Sequence, residues 1–199
     1  MHAMVLRALQ TPLEWSELPD RSPGAGQIRV RVAACGVCRT DLHVVDGDLP
    51  NPILPMVPGH EIVGRIDALG AGVDGLIIGQ RVGIPWLGHT CGTCPHCRSH
   101  HENLCDHPVF TGYTRDGGFA TTAIADAQFA FPLGEPTGEN SSDVAMAPLL
   151  CAGLIGWRSL GMAGDGKRLV MMLIAGYAVL THLEHFPIGW NHPSGSNVR

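Results

Sequence analysis

The chain has 199 residues, 45% of them hydrophobic and 16% charged, with a formal net charge of −5. That length suits one globular domain with part of a second, and an acidic chain without a long basic run is not expected to offer a nucleic-acid surface. Twenty-six Gly and 15 Pro favour many turns and short strands over long helices.

The first ten residues, Met1 to Gln10, have no basic region followed by a long apolar core, so no secretory signal is expected. The longest apolar run, Leu169 to Leu180, is about half the length that spans a bilayer, and no membrane association is expected. Most of the seven cysteines sit at metal-ligand spacings, which points to a reducing compartment, most simply the cytoplasm.

Short β runs are expected at Met4 to Leu9 and Leu13 to Leu18, broken by Pro12 and Pro19. Gln27 to Ala34 is a clearer strand: Ile28, Val30 and Val32 alternate with Arg29 and Arg31, the period of a half-buried strand. Cys35-Gly-Val-Cys38 follows directly, and it has three readings. It is a thioredoxin-like redox pair, or half of a four-cysteine zinc site, or only Cys38 is a ligand, in a site completed far along the chain. The third is favoured by Pro58-Gly59-His60-Glu61, which opens the β-like run Ile62 to Leu69, and by Cys151 in an apolar helical stretch. Taken singly, His60 reads as structural and Cys151 as a small buried hydrophobe. Together, Cys38, His60 and Cys151 make a Cys₂His set of the kind catalytic zinc uses, with a fourth position left for water or substrate.

Cys91, Cys94, Cys97 and Cys105 fall within fifteen residues. Each Cys-x-x-Cys turn brings two sulfurs to one side, and four thiolates complete the closed tetrahedron of a structural zinc site. The intervening Gly92, Pro95, His96 and Asn103 suit an exposed loop. Residues 91–105 are therefore expected to form a small lobe folded around one zinc, the metal replacing an apolar core. Arg98 is the only Lys or Arg between these cysteines, too little charge for a nucleic-acid finger.

These segments resemble the zinc-dependent alcohol dehydrogenases of the medium-chain dehydrogenase/reductase family. The resemblance rests on Gly36-Val-Cys38-Arg39-Thr40-Asp41-Leu-His43, Pro58-Gly59-His60-Glu61 with Gly64, and Gly70-x-Gly72-Val73. It continues through Gly79-Gln80-Arg81-Val82-Gly83, the four-cysteine lobe and Pro148-Leu-Leu-Cys151-Ala-Gly153, covering roughly residues 4–168. It implies a mainly β fold with short helices: a GroES-like β-barrel catalytic domain at 1–140, then a linker helix and the start of an α/β Rossmann domain at 141–180. Residues 181–199 read as an irregular tail.

The resemblance also implies roles. Cys38, His60 and Cys151 would hold catalytic zinc, and Cys91, Cys94, Cys97 and Cys105 structural zinc. Glu61 would lie behind the catalytic metal and transiently join its shell, and Asp41 would accept the His60 ring N–H. Thr40 would take the proton of the substrate hydroxyl and pass it through the coenzyme ribose to His43. Arg39 would face the coenzyme pyrophosphate, Trp86 would wall the pocket, and Cys35 has no role. The substrate would be a small alcohol or aldehyde and the coenzyme NAD or NADP; family members form homo-oligomers. Zinc can bring the pKa of bound water from about 15.7 to about 7, and a similar shift on a bound alcohol would be on the order of 12 kcal/mol.

Val144 to Met162 is an apolar, mostly helical stretch that Pro148 interrupts, and Leu169 to Ala175 reads as the first strand of a nucleotide-binding unit. The Gly-x-Gly-x-x-Gly/Ala turn expected next keeps only Gly176, with Tyr177 following. The expectation is a truncated or frame-disrupted dehydrogenase whose coenzyme site is largely missing and whose own activity is weak or nil. The alternatives are a non-catalytic zinc-binding module and a thiol-disulfide oxidoreductase using Cys35 and Cys38.

Overall fold

The computed structural model describes residues 1–163 and the strand at 178–180. Its organising strand is β3 (Gln27–Val37), and the predicted alternation is visible in its first half: Ile28 and Val30 are fully buried while Arg31 is exposed. The pattern then breaks. The pairing of β3 with β4 (Glu61–Leu69) shifts register between Arg29 and Val30 and again between Val32 and Ala34. Each irregularity re-aims the side chains that follow, so Val32 is only half-buried while Ala34, Cys35 and Gly36 are all buried.

Around β3, hydrogen bonding builds a six-stranded sheet in the order β10, β3, β4, β5, β9, with β8 also pairing to β3. Here β5 is Arg81–Ile84, β8 Thr122–Asp126, β9 Phe131–Pro132 and β10 Ala178–Leu180. Two further antiparallel pairs lie outside it, β1 (His2–Val5) with β2 (Glu14–Glu17) and β6 (Leu87–His89) with β7 (Val109–Phe110). The fold is thus mainly sheet with short helices, as expected, but among the described residues the strands do not close into a barrel. Two-residue β9 ends one side of the sheet, and β8 covers β3 only from Gln27 to Arg31. Ile28, Val30, Ile62, Ile66, Val82, Ile84 and Phe119 form the main core, each aliphatic or aromatic side chain contributing about 1.5–3 kcal/mol by burial.

The helices are α1 (Arg39–Asp46), α2 (Pro95–Arg98), α3 (Asp143–Met146) and α4 (Ala152–Ala163). The single helical stretch expected from Val144 is divided at Pro148 by a 3₁₀ turn, Ala147–Leu150, because proline has no N–H to continue the ladder. The expected nucleotide-binding strand at 169–175, the Gly176-Tyr177 turn and the tail at 181–199 lie outside the described residues.

Candidate metal centre

Cys38 ends β3 and starts α1. As the helix N-cap, its sulfur accepts from the Thr40 amide at 3.5 Å, and its own N–H donates to Asp41 Oδ2 at 2.8 Å. Asp41 is buried and reaches further: Oδ1 accepts from the Gly59 amide at 3.2 Å and lies 3.0 Å from His60 Nδ1. One carboxylate therefore ties the start of α1 to the turn before β4. That turn needs Gly59, whose φ is +99° and whose Cβ, if present, would lie 2.8 Å from the Phe119 amide nitrogen.

His60 and Glu61 are both 0% exposed. With Nδ1 facing Asp41, His60 Nε2 has no hydrogen-bond partner among the described residues, nor has either carboxylate oxygen of Glu61. Such groups cost free energy when buried alone. The sulfurs of Cys38 and Cys151 stand 3.9 Å apart, though 113 residues separate them, and one donor atom from each of Cys38, His60, Glu61 and Cys151 lies within 4.8 Å of the others. A divalent cation would give every one of these atoms a partner, so the donor set suits zinc: two sulfurs and an imidazole nitrogen, with a carboxylate alongside.

The electrostatics agree. The hydrogen bond from Cys151 holds Cys38 as a thiolate, against the opposing effect of burial, bringing its pKa down to about 3. Cys151 correspondingly moves up, because Cys38 already carries the charge and burial penalises a second one. Burial pushes Glu61 up to about 8, with the charges of Cys38 and Asp41 adding to it. Burial opposes charge on His60, but its contacts with Asp41 and Cys38 outweigh that and raise it to about 10. Cys38 is thus the charged donor of the set, and a metal ion bound there would displace the protons that the other donors hold.

Cys151 reaches the centre through packing. The Leu150 side chain presses on Gly83 of β5, where a Cβ would come within 2.7 Å of it. Arg81, 2% exposed, donates to Asp143 Oδ1 (2.6 Å), the Ser141 carbonyl (2.8 Å) and the Gly134 carbonyl (3.2 Å), fastening the α3 segment to β5. In sequence, the only sign of Arg81's role is its place in Gly79-Gln80-Arg81-Val82-Gly83. Gly36 is likewise required: a Cβ there would sit 1.8 Å from Glu61 Oε2.

The residues expected around the centre are placed as follows. Thr40 Oγ1 lies 3.7 Å from Cys38 Sγ. His43, in the last turn of α1, pairs with Asp48 and is set apart from the buried cluster. Arg39 is exposed at the first position of α1. Trp86 packs edge-on against the His60 ring with centroids 5.0 Å apart, and stacks on Phe110 and Tyr113. Cys35 is buried, and its thiol pKa is pushed well up by burial, which suits inert packing rather than redox chemistry.

Cys91, Cys94, Cys97 and Cys105 form the second cluster, their sulfurs all within 4.8 Å. Backbone amides point at sulfur: Cys94 to Cys91 (3.4 Å), Cys97 to Cys94 (3.5 Å), and both Cys91 and His107 to Cys105 (3.3 Å). The Thr93 and Cys94 amides lower Cys91 to about 5, the Cys97 amide lowers Cys94, and burial lifts Cys97 to about 12. Sulfur separations of 3.5 and 4.0 Å are far from a disulfide bond, and all seven cysteines are free. Four convergent thiols without an apolar partner set fit a closed zinc site.

Residues 24–135 match the family "Alcohol dehydrogenase GroES-like domain". The "Probable alcohol dehydrogenase AdhA" of Mycobacterium tuberculosis is 47% identical over 154 residues, which are 75% of this chain and 43% of the relative. An alcohol dehydrogenase of Geobacillus stearothermophilus is 41% identical over 201 residues, 100% of this chain and 57% of the relative. A crystal structure of an NAD-dependent alcohol dehydrogenase superposes with a TM-score of 0.72 at 33% identity, covering 79% of this chain and 46% of that one. The chain thus spans about half the length of the curated relatives it matches. Matched over more than half its length, with both cysteine clusters assembled in space, the chain belongs to the zinc-dependent alcohol dehydrogenases of the medium-chain dehydrogenase/reductase family.

Proposed function

We propose that the chain serves the oxidation of an alcohol to an aldehyde or ketone, the substrate hydride passing to NAD or NADP and the hydroxyl proton leaving by way of Thr40 and His43. The observation that carries this reading is the convergence of half-buried Cys38 and Cys151 on buried His60 and Glu61, with His60 Nε2 unpartnered among the described residues. Zinc held by Cys38, His60 and Cys151 would supply a Lewis acid to the substrate oxygen. The chain's own groups do the rest. Asp41 accepts the Nδ1–H of His60 and so keeps its Nε2 lone pair free. Glu61 adds a carboxylate to the same space. Thr40 Oγ1 is the first acceptor of the substrate proton, and His43, one helical turn further on the same face of α1, releases it to solvent. Arg39 is placed to meet a coenzyme phosphate, and Trp86 walls the substrate side. Cys91, Cys94, Cys97 and Cys105 would hold a second zinc with no open position. The alcohol dehydrogenases among the relatives, one of them NAD-dependent, support this chemistry.

In this reading residues 1–140 are the zinc-binding domain, and 141–180 are the linker helix and the start of a nucleotide-binding unit. The family match at 24–135 is consistent with the first of these. A cytoplasmic location follows from the metal-spaced, unpaired thiols. Among the described residues no single helix is long and apolar enough to cross a membrane; one bent pair, Asp143–Leu150 with Ala152–Met162, passes by length and composition only.

The test is metal analysis with cobalt substitution. Two metal ions per chain are expected, one lost with Cys38→Ala and the other with Cys94→Ala. In the cobalt form, ethanol or benzyl alcohol should perturb the visible bands of the Cys38 site, and alcohol-dependent reduction of NAD or NADP should vanish with Cys38→Ala. A chain holding metal only at the lobe, or cobalt bands that alcohol leaves unchanged, would defeat the reading.

A further inference from the structure

The end of α1 carries a second histidine–carboxylate contact. His43 Nδ1 lies 2.7 Å from Asp48 Oδ2. The approach is built into the backbone. Gly47 adopts a left-handed conformation, φ +83°, and closes the helix; its N–H and that of Asp48 both donate to the His43 carbonyl, at 3.1 and 2.9 Å. Asp48 is thereby folded back onto the residue whose carbonyl it caps. The N-terminal segment holds this turn from outside. The Gln10 amide donates to the Val45 carbonyl at 2.7 Å, Gln10 Nε2 donates to the Asp46 carbonyl at 3.3 Å, and a Cβ on Gly47 would come within 2.9 Å of Leu9 Cδ1.

We propose that Asp48 is a positioning residue: its carboxylate holds His43 in the Nδ1–H tautomer and so leaves Nε2 as the proton acceptor at the solvent end of the relay. The inference rests on the dehydrogenase reading for its purpose, though not for its geometry. A neutral imidazole has one N–H and one lone pair, and a carboxylate can only accept, so a partner at Nδ1 dictates that the lone pair sits on Nε2. A histidine side chain in water, with no partner at Nδ1, prefers the opposite arrangement, with the proton on Nε2. When a proton reaches Nε2, both nitrogens carry hydrogen and the new positive charge faces Asp48; loss of the Nε2 proton to water restores the starting state. The pair is exposed, Asp48 by 58% at its side chain, and exposed ion pairs add little stability. Tautomer choice needs only a small bias.

The experiment uses the full chain with ¹⁵N-labelled histidine and long-range ¹H–¹⁵N correlation, read where the His43 spectrum itself shows a ring with one N–H. Comparison with His43→Gln assigns the His43 signals among the eleven histidines. Nδ1–H should be the major form of His43, and Asp48→Ala should move the ratio toward Nε2–H by about two- to tenfold. The Asp48 side chain is exposed and its backbone cap needs no side chain, so the other histidine signals and the metal content should be retained. A native His43 mainly in the Nε2–H form, or a ratio that Asp48→Ala does not move, overturns the proposal. Turnover separates it from the reading beneath it. If alcohol oxidation occurs, Asp48→Ala should lower kcat with KM unchanged, and an unchanged kcat overturns the relay role. If the native chain shows no alcohol chemistry while the tautomer responds, the dehydrogenase reading fails and the hold of Asp48 on His43 stands without it.

Discussion

Asp41 does more than orient one histidine. Its two oxygens take hydrogen bonds from the Cys38 amide, the Gly59 amide and the His60 ring, so a single buried side chain sets where two of the proposed metal donors stand. Because the capping bond from Cys38 and the contact with His60 use different oxygens, losing the carboxylate should loosen both donors together. Asp41→Ala is therefore expected to weaken metal binding at the Cys38 site by about 10- to 100-fold while the four-cysteine lobe keeps its own ion. Competition with a chromophoric chelator, reading the two ions separately, checks this; equal loss at both sites would mean the variant has unfolded, and no loss would mean Asp41 does not govern the centre. Cys38, Asp41 and His60 were legible from the sequence because strand end, helix start and turn are close in the chain and each carries a chemical signature. The Gly59 and Gly36 contacts were not, because a glycine's reason lies in what another segment brings against it, here Phe119 and Glu61.

At the scale of elements, the centre depends on how the segment carrying Cys151 is fastened to the sheet. Arg81 on β5 is the fastener, with three acceptors on the connection through Gly134, Ser141 and Asp143. Arg81→Ala removes a buried charge, but its acceptors Asp143, Ser141 and Gly134 remain partly open to water, so it should cost about 1–3 kcal/mol, measured by urea unfolding of the native chain and variant at fixed metal occupancy. The Cys151 thiol should also become faster to alkylate. A loss under about 1 kcal/mol would show that Arg81 behaves as a surface charge. Cys151 is legible in the sequence only in company with Cys38 and His60, and this fastener not at all, since its acceptors are mostly carbonyls with no residue signature. The two register shifts in β3 were equally hidden, because irregular pairing belongs to two strands and not to one.

A second junction gives the fold an acid limit. Asp126 at the end of β8 meets Arg115 (2.8 Å), Gln27 on β3 (3.1 Å) and His89 on β6 (2.6 Å). Burial favours its protonated form, but the bonds from Arg115 and Gln27 outweigh that and hold its pKa below the usual carboxylate range. The folded state thus binds this proton more weakly than the unfolded chain. The stabilisation is full above the unfolded value of about 3.9 and is lost as pH falls through the lower folded value. Asp126→Asn should cost about 1–3 kcal/mol at neutral pH, and Tm should fall less steeply on acidification than in the native chain. An acid limb of unchanged slope would assign the limit to other carboxylates.

For the whole molecule, two kinds of interior coexist. The sheet has an aliphatic core around Ile28, Ile62 and Val82, whereas the buried cluster of the lobe consists only of Cys94, Cys97 and Cys105 with Cys91 against it. Along α4 several large apolar side chains are exposed, Trp157 by 79% and Met162 by 76%. The lobe was the most legible part of the sequence because the spacing of its four cysteines is itself the signature of a metal-ligand set. The nucleotide-binding unit expected from residues 169–176 lies outside the described residues. The two interiors should come apart under chelation. Where metal supplies the folding energy, its removal unfolds what it holds, so excess chelator should abolish amide-exchange protection across 91–105 while protection in β3, β4 and β5 persists. Cys94→Ser should give the same pattern without chelator, because Cys94 lies only in the lobe. If instead chelation erases protection in the sheet as well, the aliphatic core cannot stand alone, and the zinc-dependent and hydrophobic parts of this fold form a single cooperative unit.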